Sequence, residues 1–151
     1  MSKIMLVEDE ADLNNCIVQL LTRHMPQSAA TEIISCGSFV CAAEKWKEEK
    51  DTINLVITDS GHVNGGVGGG AKLIKQIWKD EENIAVPDKT KVIVITGDKD
   101  GFRKINPDMD SVLVLAKPFN VKDFLATVKN EMGGFFTKIE RRVPQQNLAL
   151  G

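Results

Sequence analysis

The sequence contains no tyrosine, few cysteines and histidines, and no excess of basic residues. Its formal net charge is -2, so the chain lacks the overall positive charge of nucleic-acid-binding domains, although a local basic patch stays open. No apolar run approaches the ~20 residues that span a bilayer, and the first residues lack the features of a secretory signal. The cysteines (Cys16, Cys36 and Cys41) form no C-x-x-C pair, so we expect reduced, buried thiols. These absences predict a cytoplasmic protein that binds neither membrane nor nucleic acid.

The composition is otherwise that of an ordinary globular domain. The chain has 151 residues, of which 42% are hydrophobic and 26% are charged. This length predicts one domain that can bury a core without disulfides or metals as staples, and the composition excludes wholesale disorder.

Short apolar runs alternate with helical patterns along most of the chain. The apolar runs predict strands at 3–7, 30–35, 53–58, 91–96 and 111–115. Between and after them, spacings of three and four predict helices from Leu13 to before Pro26, from Ser38 to about residue 50, over 71–79, and after Asn120. The stretch around Phe102 is short and only weakly periodic. This alternation predicts an α/β fold: a doubly wound, five-stranded parallel sheet with helices on both faces.

Polar residues follow four of the predicted strands. Glu8 and Asp9 follow the first, Asp59 the third, Thr96 the fourth and Lys117 the fifth. Because the carboxyl ends of parallel strands share one sheet edge, these side chains should converge there. Two carboxylates ~5 Å apart repel by roughly 3 kcal/mol at an effective dielectric near 20, and Mg²⁺ prefers such oxygen ligands. An aspartate can accept a phosphoryl group, whose oxygens a lysine and a hydroxyl can bind.

Four motifs at these strand ends resemble those of the receiver domains of two-component response regulators. They are V-E-D-E, T-D, I-T-G and A-K-P-F, in the order that the family has them. The resemblance covers about residues 3 to 132 and is to stand-alone, chemotaxis-regulator-like members. It implies a flavodoxin-like receiver fold for residues 1–132. Residues 133–151 would be a C-terminal extension without an output domain.

The resemblance implies roles for the acidic residues. Asp59 corresponds to the phosphoacceptor. Asp9 and Asp59 would bind Mg²⁺ directly, Glu8 would bind it largely through water, and the backbone carbonyl of Gly61 would be a further metal ligand. Thr96 and Lys117 correspond to the residues that bind the phosphoryl oxygens.

Thr96 would bond one phosphoryl oxygen and Lys117 would pair with another. In the family, the peptide bond before the residue that corresponds to Pro118 is cis. The implied phosphoryl donor is a histidine kinase or a histidine phosphotransfer protein, and the implied output partner is a downstream effector protein. Such a domain is not an enzyme in the usual sense, since it catalyses only its own phosphorylation and dephosphorylation.

Some positions depart from the family pattern. Val63 replaces the usual proline four residues after the acceptor, in a glycine-rich loop over 59–70 that we expect to be mobile. Val114 stands where the family often has an aromatic residue whose side-chain rotamer is coupled to the threonine. These departures leave an alternative open, a receiver-like module that binds proteins without being phosphorylated. A related phosphatase would need a second acid two residues after Asp59, where Gly61 stands.

Overall fold

The computed structural model describes residues 3–24, 31–61 and 69–132. Within them, five parallel strands form one sheet in the order β2-β1-β3-β4-β5. The strands are β1 (Lys3–Val7), β2 (Glu32–Cys36), β3 (Ile53–Asp59), β4 (Lys91–Thr96) and β5 (Leu113–Ala116). The helices are α1 (Ala11–His24), α2 (Phe39–Glu49), α3 (Gly69–Asp80), α4 (Lys99–Ile105) and α5 (Val121–Met132).

This arrangement confirms the predicted doubly wound parallel sheet. Each face of the sheet carries its own apolar core: α1 and α5 pack on one face, and α2, α3 and α4 pack on the other. The strand order reverses between β1 and β3, because the chain first adds β2 on one side and then β3 to β5 on the other. Ligand sites of such sheets lie at the carboxyl ends of the strands beside this reversal.

Local sequence signals explain where several helices begin. The Ser38 hydroxyl accepts the N–H of Cys41 (3.1 Å) at the start of α2, and the Asn120 side chain accepts the N–H of Asp123 (3.2 Å) at the start of α5. Both caps satisfy a backbone donor that the helix itself cannot pair, as predicted. Trp46 is buried between α2 and α3, where its indole N–H donates to Asp80 (2.8 Å).

One prediction of burial is wrong. Cys16 is exposed, although we expected a buried thiol at this position of the first helix. In α1, the buried face runs through Asn14, Ile17 and Leu21, which rotates Cys16 outward. Asn14 takes an inner position because its amide donates to backbone carbonyls at the ends of β1 and β2 (3.0 and 3.3 Å). The buried face of α1 therefore includes a polar residue, which the spacing of apolar residues alone does not predict.

Some element ends also differ from the predicted ones. β5 begins at Leu113, two residues later than predicted, and α3 begins at Gly69, two residues earlier. Val63, most of the glycine-rich loop and the extension over 133–151 lie outside the described residues. No helix in the described ranges combines the length and the apolar character that crossing a bilayer requires.

Candidate functional site

Three carboxylates meet where β1 and β3 end. In the parallel register Val7 pairs with Thr58, so the residues that follow, Glu8 and Asp59, emerge side by side. Glu8, Asp9 and Asp59 each offer an oxygen, and these oxygens lie within 4.8 Å of one another. The Glu8 side chain is 2% exposed and that of Asp59 is 12% exposed, whereas Asp9 is open to solvent. The structure thus brings together the acidic residues that the strand ends predicted.

Lys117 lies against two of these carboxylates. Its Nζ is 2.8 Å from Asp59 Oδ1 and 3.0 Å from Glu8 Oε2. The backbone N–H of Lys117 donates to the carbonyl of Thr96 (2.8 Å), which fixes where the chain turns after β5. The peptide bond between Lys117 and Pro118 is cis, as predicted. Burial lowers the pKa of Lys117, but its hydrogen bonds to Asp59 and Glu8 outweigh burial and raise that pKa above its ordinary value.

The cluster holds more negative charge than its lysine compensates. Burial raises the pKa of Glu8, and the charge of Asp59 raises it further. The hydrogen bonds that Glu8 accepts from Lys117 and from the N–H of Glu10 (3.2 Å) oppose this rise in pKa. At no more than 4.8 Å, the carboxylates of Glu8 and Asp59 repel by about 3 kcal/mol at an effective dielectric near 20. A bound divalent cation would relieve this repulsion, and carboxylate oxygens are the donors that Mg²⁺ takes.

Gly61 orients the Asp59 carboxylate. Its N–H donates to Asp59 Oδ2 (2.9 Å), so the two oxygens of Asp59 have different partners, Gly61 and Lys117. Gly61 has φ +86°, and a Cβ there would lie 2.8 Å from the backbone nitrogen of Gly69. Glycine fits this position because it adopts positive φ without a steric cost. The role of the Gly61 carbonyl as a metal ligand stays a prediction.

Thr96 ends β4 beside the acidic cluster, because β3 and β4 pair Asp59 with Ile95. Its side chain is buried, and its hydroxyl accepts the N–H of Asp98 (3.1 Å). The hydroxyl of Ser60 lies 3.0 Å from that of Thr96. Ser60 was not among the site residues predicted from the sequence, and its position directly after Asp59 is the one signal that could have singled it out.

Val114 is 6% exposed and belongs to the core on the α2, α3 and α4 face of the sheet. An aliphatic residue is therefore packed at the position where the resemblance leads one to expect an aromatic side chain. Aspartate, lysine and threonine thus converge at this edge of the sheet without that aromatic side chain.

A scan against protein-family models and a search of the curated proteins gave no match. Solved structures do match. A response regulator receiver domain from Clostridium thermocellum aligns with a TM-score of 0.66 at 22% identity, over 89% of this chain and 96% of that chain. The non-phosphorylated HemR receiver domain from Leptospira biflexa aligns with a TM-score of 0.68 at 19% identity, over 88% and 95%.

A third match is the response regulator TrrA from Thermotoga maritima in complex with Mg²⁺-BeF. It has a TM-score of 0.65 at 21% identity, over 87% of this chain and 99% of that chain. These neighbours confirm, at the level of the fold, the resemblance inferred from the four motifs. The chain therefore has the fold of response regulator receiver domains, a five-stranded parallel sheet with helices on both faces.

Proposed function

We propose that this protein is a cytoplasmic receiver that accepts a phosphoryl group on Asp59, in a Mg²⁺-dependent transfer from a histidine kinase or a histidine phosphotransfer protein. The observation that carries the proposal is the cluster at the strand ends: oxygens of Glu8, Asp9 and Asp59 lie within 4.8 Å of one another, and Lys117 Nζ is 2.8 Å from Asp59. The Mg²⁺-BeF complex of TrrA and the receiver-domain neighbours support it. Residues 1–132 would form the receiver unit.

The donor set fits a hard divalent cation. Glu8, Asp9 and Asp59 would hold Mg²⁺, with the carbonyl of Gly61 as a further ligand, and such ions usually keep several waters. When bound, Mg²⁺ offsets the negative charge of the incoming phosphoryl group. The exposed Asp9 leaves one side of the cluster open to solvent and therefore to a ligand.

The side chains at this edge would carry out the transfer. A carboxylate oxygen of Asp59 attacks the phosphorus, so an O–P bond forms while the N–P bond of a phosphohistidine donor breaks and its electron pair returns to the imidazole. The N–H of Gly61 keeps the Asp59 carboxylate in place during this attack. The Lys117 ammonium, 24% exposed, turns from the carboxylates to a phosphoryl oxygen, and the Thr96 hydroxyl donates to another.

The output would be a change in protein contacts. When Thr96 and Lys117 move toward the phosphoryl group, the segments that follow them shift, which biases an existing equilibrium of the face formed by α4, β5 and α5. Each of these elements presents one large exposed apolar residue: Ile105 is 62% exposed, Leu113 is 40% exposed and Val121 is 46% exposed. A partner protein that binds these elements could cover such exposed apolar side chains, so we place the effector there.

Intact-mass spectrometry after incubation with acetyl phosphate and Mg²⁺ tests the proposal. The wild type should gain the mass of one phosphoryl group, chelation of Mg²⁺ should prevent the gain, and Asp59→Asn should abolish it. Asp110→Asn, which removes an exposed carboxylate far along the chain, should behave as the wild type does. A wild-type protein that gains no mass, or an Asp59→Asn variant that gains as much, would contradict the proposal.

A second candidate function is a protein-binding module that is not phosphorylated. The buried Val114 favours this second function, because the position holds no aromatic side chain whose rotamer could change when Thr96 moves. A Mg²⁺ titration separates the two functions. A competent acceptor site should bind Mg²⁺ with roughly sub-millimolar to millimolar strength, whereas a module that has lost the chemistry should bind its partner equally well with and without the ion.

A further inference from the structure

Ser60 lies between Asp59 and the turn that follows β3, and its backbone is held on two sides. Its N–H donates to the carbonyl of Ile95 on β4 (3.1 Å), and its carbonyl accepts the N–H of Gly70 in the first turn of α3 (3.3 Å). The residue is half-buried. Because neighbouring elements hold the backbone, the Ser60 hydroxyl has a defined place at the edge of the sheet.

The Ser60 hydroxyl contacts that of Thr96, with 3.0 Å between their oxygens. Thr96 Oγ1 also accepts the N–H of Asp98 (3.1 Å). A hydroxyl has one proton to donate and two lone pairs that can accept. An N–H can only donate, so Asp98 occupies one lone pair of Thr96. If the Ser60 O–H occupies the other, the Thr96 proton has to point toward a third acceptor.

We propose that Ser60 is a positioning residue for Thr96: the Ser60 O–H donates to Thr96 Oγ1 and so directs the Thr96 proton toward a phosphoryl oxygen on Asp59. This inference rests on the proposed function and deepens it. With the opposite direction of the hydrogen bond, Thr96 would donate to Ser60, and Ser60 would then compete with the phosphoryl group for that proton. The two directions predict opposite effects of removing the Ser60 hydroxyl.

The rate of phosphorylation by acetyl phosphate at saturating Mg²⁺ tests the inference. Ser60→Ala should lower this rate by about threefold to tenfold, the range that one hydrogen bond contributes. The dissociation constant for Mg²⁺ should stay unchanged, since no metal ligand is altered. Ser60→Thr, which keeps the hydroxyl, should restore the rate, and Ser111→Ala serves as the matched loss of an exposed serine.

A double-mutant cycle decides whether Ser60 acts through Thr96. In a Thr96→Val background, which lacks the hydroxyl, Ser60→Ala should cause no further loss of rate. An unchanged or faster rate in Ser60→Ala, or an equal loss in the Thr96→Val background, would overturn the inference while leaving the proposed function standing. A wild-type protein that is never phosphorylated would overturn both.

Discussion

Gly70 is a position where a single added methyl group should disturb the site through the backbone. It lies in the first turn of α3, and a Cβ there would be 2.6 Å from the backbone oxygen of Asp59 and 3.1 Å from that of Ser60. Both atoms belong to backbone at the end of β3, so neither can rotate away. Gly70→Ala must therefore push α3 and the end of β3 apart.

The expected cost follows from two opposing terms. The 2.6 Å contact has to open to at least 3.0 Å, the shortest separation that real Cβ atoms show. Extra methylenes forced into a packed region cost about 1–3 kcal/mol, and alanine returns at most about 1 kcal/mol of helix propensity over glycine. We therefore expect a net loss of about 1–2 kcal/mol in the free energy of unfolding, or about 3–8 °C in melting temperature. The affinity for Mg²⁺ should fall as well, because Asp59 is displaced from Glu8.

Urea denaturation and a Mg²⁺ titration measure the two effects. Gly37→Ala is the matched control, because a Cβ at that position meets nothing within 4 Å. The control should unfold at or slightly above the wild-type urea midpoint and bind Mg²⁺ normally. A Gly70→Ala variant that matches the control in both measurements would show that the end of β3 yields without cost, which would refute the reasoning.

Three further predictions concern charge, a side-chain clamp and thiols. Lys117→Met should lower the free energy of unfolding of the metal-free protein by about 1–3 kcal/mol, because two carboxylates lose their partner. The same variant should bind Mg²⁺ more tightly in a calorimetric titration, and weaker binding would contradict this prediction. Arg103→Met removes two hydrogen bonds of 2.7 Å to backbone carbonyls before β5 and should lower the free energy of unfolding in urea by about 1–3 kcal/mol. The control Lys104→Met, at an exposed neighbouring position, should lower it little. Equal losses in the two variants would show that the hydrogen bonds of Arg103 do not stabilise the protein. Iodoacetamide at neutral pH should label the exposed Cys16 quickly and Cys36 only after unfolding. The reason is that burial and a hydrogen bond with a neighbouring thiol raise the pKa of Cys36 to about 12. Peptide mass spectrometry measures the two labelling rates, and comparable rates would contradict this prediction.

The sequence predicted the sheet well because its strands are apolar and β-branched. A run such as Lys91–Thr96 is buried nearly throughout, so its composition alone reveals it. The acidic cluster could also be predicted, because parallel strands bring their carboxyl ends to one edge of the sheet, Glu8 and Asp9 come just after β1, and Asp59 ends β3. These inferences depend on which strands are adjacent and not on how individual side chains are oriented.

Side-chain orientation is what the sequence could not supply. Asn14 shows this for the core, because apolar spacing carries no information about a buried amide whose partners are backbone carbonyls at the ends of two strands. Ser60 shows it for the site. Alternation along a strand would turn Ser60 away from Asp59, and only the register of β3 against β4 places its hydroxyl 3.0 Å from Thr96.

Lys117 links the stability of the site to its chemistry. Without a metal, the ammonium is the counter-ion of Glu8, whose carboxylate is almost fully buried, and of Asp59. In the proposed transfer, the same ammonium would leave these carboxylates when a phosphoryl oxygen becomes its partner. A cation bound among the carboxylates would replace the positive charge that Lys117 withdraws, so the site could release its lysine without leaving buried charge unpaired. In the proposed function, a magnesium requirement for phosphorylation would therefore follow from the resting ion pairs as much as from the charge of the phosphoryl group.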